Sequence, residues 1–308
     1  MISSHKTPVA LVISGFDPAN HAGYGSDIRV MTALGVHPVG VITALTAQIP
    51  GRFEAAWSVD PGKITQQLNL LFSYYSIRAI KIGMIQSKGV CEAIFPFLQK
   101  FSGHIVVDPL RHASAGKALL NKNAHVFFKN KILRLATLVT PNLPEMLWLL
   151  GEKQRVCDTY KAAGVFVGNL NDKQKRSREN FCEQKVSQPL SKNFNWESAL
   201  DLCLKFFDQY KIPVLLKGGH WKENKILEDI FFDGKKVKRW KRPRLNNLIT
   251  HGTGCFLSSA ITAYLSKGFA LIQAVDAAQK KLSRSLQNPI QIDKNNYLSH
   301  CLSIPNVP

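Results

Sequence analysis

The chain has 308 residues, 45% of them hydrophobic, which excludes disorder as its global state and leaves core material for one large α/β domain or two small ones. Forty Lys and Arg against 21 Asp and Glu give a formal charge of +19, concentrated in 173–185 and 235–244 rather than along one helix face. Such runs usually form solvated surface, although they also support sequence-independent phosphate binding. The six cysteines (Cys91, Cys157, Cys182, Cys203, Cys255 and Cys301) are scattered, with no C-x-x-C and no metal-ligand spacing. That excludes a zinc site and a disulfide framework and points to a reducing compartment. No apolar run reaches the roughly 20 residues of a membrane span, and residues 1–8 lack a signal-peptide pattern, so the expected location is the cytoplasm.

Residues 9–15, V-A-L-V-I-S-G, form a nearly continuous apolar run, as in a strand buried on both faces of a parallel sheet. A D-P-A-N-H-A-G loop follows, then a helix whose first turn is expected to hold Asp27. There a carboxylate either complements the helix dipole or hydrogen-bonds a ligand held above the strand end. Residues 36–47 read as a second strand that delivers Gln48, a side chain able to read a heterocycle with one acceptor and two donors, to the carboxyl edge. Helical periodicity over 60–73, a strand over 77–84 and a helix through Ile94 and Leu98 come next.

The strand 104–108 ends in Asp108-Pro109 and so places a carboxylate at the same edge. In T-P-N-L-P-E, Asn142 and Glu145 stand three apart, a spacing that serves either a hydrated Mg²⁺ or an ordinary helix cap. Residues 152–195 turn polar and lose periodicity, which marks an insertion. An amphipathic helix over 196–207 precedes a buried strand ending in K-G-G-H, and Asp233-Gly234 marks a hairpin turn.

In T-H-G-T-G-C, at 250–255, small residues run into an apolar helix, so the amides of Gly252, Thr253 and Gly254 can converge with the helix dipole on one anion. Cys255 falls in the first turn, where the positive helix end is expected to lower the thiol pKa. Repeated strand, loop and helix units predict a doubly wound α/β fold. A mostly parallel central sheet then carries helices on both faces, all within one domain spanning 1–308.

Seven motifs in order, D-P-x-x-x-A-G, V-I-T-A-L-T-A-Q, I-K-I-G-M, D-P, T-P-N-L-P-E, K-G-G-H and T-H-G-T-G-C, resemble the hydroxymethylpyrimidine and phosphomethylpyrimidine kinases of thiamin biosynthesis. These form a branch of the ribokinase superfamily, and the likeness covers almost the whole chain. It implies a ribokinase-like fold and ATP- and Mg²⁺-dependent phosphorylation of 4-amino-5-hydroxymethyl-2-methylpyrimidine, of its monophosphate, or of both. It implies that Gly15, Ala22, Asp27, Gln48, Met84 and Leu110 contact the pyrimidine. Asp108, Asn142 and Glu145 would arrange Mg²⁺ and phosphates, and Lys217, Gly218, Gly219, Thr250 and His251 would lie on the nucleotide side. Gly252, Thr253 and Gly254 would form the anion hole, with Cys255 as the base where most sugar kinases of the superfamily carry an aspartate.

A homodimer acting on a small molecule follows from the same resemblance, and no recognised nucleic-acid module is visible. Two departures bear on the substrate. Asn20 and His21 replace glycines of the family's first loop, and Arg111-His112 stand in a stretch the family keeps largely apolar. The alternatives are a pyridoxal kinase on the same scaffold and an inactive paralogue with a binding or regulatory role.

Overall fold

β1 (Val9–Phe16) is the strand about which one unit of the chain is laid out, and Ala10 to Ile13 along it are fully buried. Continuous burial of that kind needs layers on both faces, and the sequence supplies them in doubly wound order. The computed structural model describes residues 6–112, 118–152, 195–220, 226–245, 251–292 and 295–298. Two compact units divide the chain: 1–140 with 245–308, and 141–244. The insertion expected at 152–195 lies almost wholly outside the described residues.

In the first unit α1 (Gly23–Ala33) links β1 to β2 (His37–Ile49), and β3 (Arg52–Ser58) returns antiparallel on β2. α2 (Pro61–Tyr74), β4 (Ile77–Ile82), α3 (Lys88–Lys100) and β5 (His104–Val107) follow. A run of short turns containing α4 (His125–Phe127) leads to β6 (Leu138–Val139). The strand order within this unit is β3-β2-β1-β4-β5-β6, parallel apart from β3. The order reverses between β1 and β4, and open α/β sheets bind ligands at the carboxyl ends beside such a reversal.

β3 is an element that sequence patterning did not reveal. R-F-E-A-A-W-S carries two alanines and little alternation, and it pairs as a short ribbon that extends β2 past its expected end.

In the second unit α5 (Leu143–Leu150) packs on α6 (Trp196–Tyr210), and the Tyr210 hydroxyl donates to the Leu149 carbonyl at 2.8 Å. β7 (Val214–Leu216), β8 (Ile226–Phe232) and β9 (Val237–Pro243) form an antiparallel set. The β8–β9 turn takes Gly234 at φ +92°, as its Asp-Gly pair predicts. Part of the basic run 235–244 is spent inside this unit: Arg242 pairs with buried Asp229 at 2.5 Å, and Arg239 lies 4.4 Å over the Trp196 ring. Back in the first unit, α7 (Thr253–Ser266) packs on α1, β4 and β5, and α8 (Leu271–Gln287) packs on α7. Among the described residues no helix is long and apolar enough to cross a membrane.

Candidate active site

The carboxyl ends of β1 and β4 are glycines for a steric reason. A Cβ on Gly15 would stand 2.7 Å from the Met84 sulfur, and one on Gly83 would stand 2.7 Å from Lys81 Nζ and 2.5 Å from Ser14 Oγ. The loop after β1 is tied by Asp17, whose carboxylate accepts from the amides of Ala19 at 3.0 Å, His21 at 3.2 Å and Ala22 at 3.0 Å. His251 Nε2 lies 3.7 Å from the same carboxylate. Burial works to raise the Asp17 pKa, but the His251 contact and the Ala22 and Ala19 amides outweigh it and hold the group below the usual carboxylate range.

Asn20 takes the left-handed conformation, φ +57°, that a glycine of the resembled family would occupy; His21 does not need it. The loop then meets the start of α7. Gly252, at φ +89°, leaves no room for a Cβ, which would lie 1.8 Å from the His21 carbonyl oxygen. Backbone therefore packs on backbone where Gly252, Thr253 and Gly254 open the helix, and the Gly23 amide hydrogen-bonds the Cys255 sulfur.

Beneath this junction lies a buried charged group. Lys81 Nζ is 2.6 Å from Asp27 Oδ2, both side chains are 0% exposed, and the Ser259 hydroxyl donates to Asp27 Oδ1 at 2.7 Å. Asp108 is fully buried nearby and accepts from the Thr140 hydroxyl at 3.3 Å. Burial pulls the Lys81 pKa down, but Asp27, Cys255 and Asp108 together raise it above its ordinary value, so Lys81 stays protonated.

Two expectations are corrected here. Asp27 stands in the second turn of α1, not the first; it sits under the site with both oxygens engaged by Lys81 and Ser259, and it does not complement a helix dipole. The Cys255 pKa is not lowered but pushed up to about 11, because burial dominates and the Asp27 and Asp108 carboxylates add to it, while Lys81 and the Gly23 amide only partly offset them.

The other residues expected to contact the pyrimidine are placed as follows. Met84 is buried with Ala44, Phe53 and Leu119, and Leu110 packs against that group. Gln48 stands next to Ile49 at the end of β2, half-exposed, after a bulge at Ala47/Gln48, and pairs with Phe53. Ala22 is the N-cap residue of α1.

In the second unit Asn142 and Glu145 form a full capping box on α5. Asn142 Oδ1 accepts from the Glu145 amide at 2.9 Å, and Glu145 Oε2 accepts from the Asn142 amide at 2.8 Å. Of the two readings of N-x-x-E, the helix cap is therefore built. Lys217 Nζ lies 3.8 Å from Glu145 Oε2. The Gly218 amide donates to Asp229 Oδ1 at 2.8 Å, and a Cβ on Gly218 would meet the Glu228 carbonyl at 1.9 Å. Gly219 has open space where a Cβ would stand. Thr250 lies outside the described residues, and among those described no group of three or more His, Cys, Asp or Glu side chains is arranged to hold a metal.

Lys81 and Asp17 in the first unit, and Asp229 paired with Arg242 in the second, are buried charged groups to which the motifs gave no role. The signal for Lys81 was present: a lysine in the middle of I-R-A-I-K-I, a strand otherwise read as buried, needs a buried carboxylate as its partner.

Burial also raises Cys91 and Cys203 to about 12. Above the ordinary thiol value of about 9, the native state keeps three protons that the unfolded chain releases, so stability present below that pH declines as pH rises toward 11. The urea midpoint is expected to fall between about pH 8 and about pH 10.5, and to fall less steeply in Cys203→Ala. A midpoint constant over that range would contradict the burial of these thiols.

Residues 17–174 and 187–300 match the family model described as phosphomethylpyrimidine kinase. A hydroxymethylpyrimidine/phosphomethylpyrimidine kinase of Aquifex aeolicus is 30% identical over 287 residues, covering 93% of this chain and 97% of that protein. The crystal structure of phosphomethylpyrimidine kinase from Clostridium difficile 630 aligns with TM-score 0.68 and 24% identity over 91% of this chain and 100% of that one. The ADP complex of Bacillus subtilis pyridoxal kinase aligns with TM-score 0.72 and 20% identity over 96% and 97%. The two structures establish the ribokinase-like fold. With the family model matched over most of this chain, the chain belongs to the phosphomethylpyrimidine kinase family.

Proposed function

We propose that the protein transfers the γ-phosphoryl group of ATP to 4-amino-5-hydroxymethyl-2-methylpyrimidine, to its monophosphate, or to both. The observation that carries this reading is the opening of α7, where Gly252 packs on the His21 carbonyl and the Gly23 amide meets the Cys255 sulfur. Amides at a helix start, fixed by backbone packing, suit the charge that spreads over a transferring phosphoryl group.

On this reading Gly15, Met84, Leu110 and Gln48 border the heterocycle, with Gln48 reading its ring. Gly252, Thr253 and Gly254 form the anion hole, and Cys255 takes the proton of the attacking hydroxyl. Asp27 acts as a positioning residue through Lys81 rather than as a direct contact. Within the second unit Lys217 and Gly219 serve the nucleotide, while the Gly218 amide is committed to holding the K-G-G-H turn on Asp229.

Mg²⁺ suits the donor set through its oxygens. The resemblance assigns the ion to Asp108, Asn142 and Glu145: in the first unit Asp108 offers a buried carboxylate, and in the second Asn142 and Glu145 offer oxygens already shared with the cap. When bound, Mg²⁺ supplies charge neutralisation on the phosphate oxygens. The two units would serve one kinase domain, active as a homodimer in the cytoplasm on a small molecule rather than on nucleic acid.

The test is ADP release from Mg-ATP with the pyrimidine alcohol, its monophosphate and pyridoxal offered in parallel. Turnover of one or both pyrimidines above pyridoxal is expected. Turnover of pyridoxal alone would transfer the assignment to pyridoxal, and turnover of none would leave an inactive paralogue.

A further inference from the structure

In the first unit one side chain faces both the loop after β1 and the entry of α7. Asp17 is 1% exposed; its Oδ1 accepts from the Ala19 amide at 3.0 Å, and its Oδ2 from the Ala22 amide at 3.0 Å and the His21 amide at 3.2 Å. His251 Nε2 approaches the same Oδ2 to 3.7 Å, an ion-pair distance for a protonated imidazole. The loop is anchored on its other sides as well. Its Asn20 amide donates to the Asp17 carbonyl at 2.9 Å, the Arg29 guanidinium of α1 donates to the Asn20 carbonyl, and the Thr46 hydroxyl of β2 donates to the Phe16 carbonyl at 2.8 Å. The loop thus has a fixed place on β2 and α1, and the Asp17 carboxylate adds a tie to α7.

Gly252 follows His251 and lies against this loop: a Cβ there would stand 1.8 Å from the His21 carbonyl oxygen and 3.6 Å from the Ala22 Cα. Close packing limits how near two backbones come, while the attraction between them is weak per atom pair. Directional attraction is supplied on either side. Asp17 meets His251 just before Gly252, and the Gly23 amide meets the Cys255 sulfur just after Gly254. Residues 252–254, whose amides open α7, are therefore held against the loop at both ends.

We propose that Asp17 and His251 are positioning residues for phosphoryl transfer, setting the distance between the acceptor loop and the amides of Gly252, Thr253 and Gly254. This rests on the kinase reading above, and it gives His251 a task in the transfer step in place of nucleotide contact. Neither side chain touches the reacting groups; each acts through the backbone it holds. In-line transfer depends on near-contact placement, and a misplacement of about 1 Å costs on the order of 10²-fold in rate. Breaking the tie therefore acts on kcat and leaves the KM for ATP near its wild-type value.

Steady-state kinetics with Mg-ATP and the acceptor that the wild type turns over compare His251→Ala, His251→Gln, Asp17→Asn and the double variant Asp17→Asn with His251→Ala. His251→Ala and Asp17→Asn are each expected to lower kcat about tenfold or more, with the KM for ATP within about twofold of wild type. His251→Gln, whose amide nitrogen reaches the position of Nε2 and can donate to Asp17, is expected to return kcat to within about threefold of wild type. The double variant should be slower than the slower single variant by no more than about twofold, because the tie is already broken. Urea midpoints of the four proteins separate misfolding from loss of position, and His251, with 19% of its side chain exposed, is the safer site for replacement. A folded His251→Ala within about twofold of wild-type kcat overturns the proposal, as do losses that add in full in the double variant or a His251→Gln as slow as His251→Ala. A raised KM for ATP at unchanged kcat also overturns it and returns His251 to the nucleotide. If the wild type turns over no acceptor, the kinase reading fails and the proposal with it; variants that match an active wild type sink the proposal alone.

Discussion

Cys255→Ala is expected to lower kcat by about 10²–10⁴-fold while leaving ATP affinity within about twofold, because a general base contributes to the transition state and not to nucleotide binding. The raised thiol pKa, about 11, adds a second signature. If the thiolate is the base, only a small fraction of the free protein carries it at neutral pH. What is lost in population is returned in part by the greater basicity of that thiolate. Wild-type kcat/KM should then climb up to about tenfold per pH unit from about pH 7 to about pH 9, and the climb should vanish in Cys255→Ala. A flat wild-type profile, or an alanine variant within about twofold of wild type, would remove Cys255 as base and leave it as a small buried group that receives the Gly23 amide.

Lys81→Met is expected to lower the unfolding free energy by about 3–5 kcal/mol, since it strands the fully buried Asp27 carboxylate with only Ser259 as partner. The double variant Lys81→Met with Asp27→Asn should regain much of that loss, because no uncompensated charge remains. Guanidinium denaturation of the three proteins measures both effects. A single-variant loss below about 1 kcal/mol would mean that the pair is far better solvated than its 0% exposure states. The same change also removes the main cation near Cys255, which moves that thiol's pKa further up.

These two expectations differ in what the chain discloses about them. Cys255 was legible because T-H-G-T-G-C is a local pattern: small residues, then a helix, with the cysteine at its mouth. The direction of its pKa was not legible, because that depends on Asp27, Asp108 and Lys81, three residues from distant parts of the sequence that fold beneath it. Asn142 and Glu145 show the reverse. Their spacing allowed both a cap and a metal site, and the reciprocal side-chain hydrogen bonds at the start of α5 show the cap.

By itself the sequence determined the alternation of the main buried strands and helices through its apolar periodicity, the turn at Asp233-Gly234, and which residues end strands at the carboxyl edge. All of these follow from contacts between near neighbours. Only the tertiary structure decided that Lys81 meets Asp27, that Gly252 must be glycine because the His21 carbonyl lies against it, and that β2 continues into a ribbon with β3. Burial and electrostatics depend on which remote segments pack together, and that packing is absent from any single stretch of the chain.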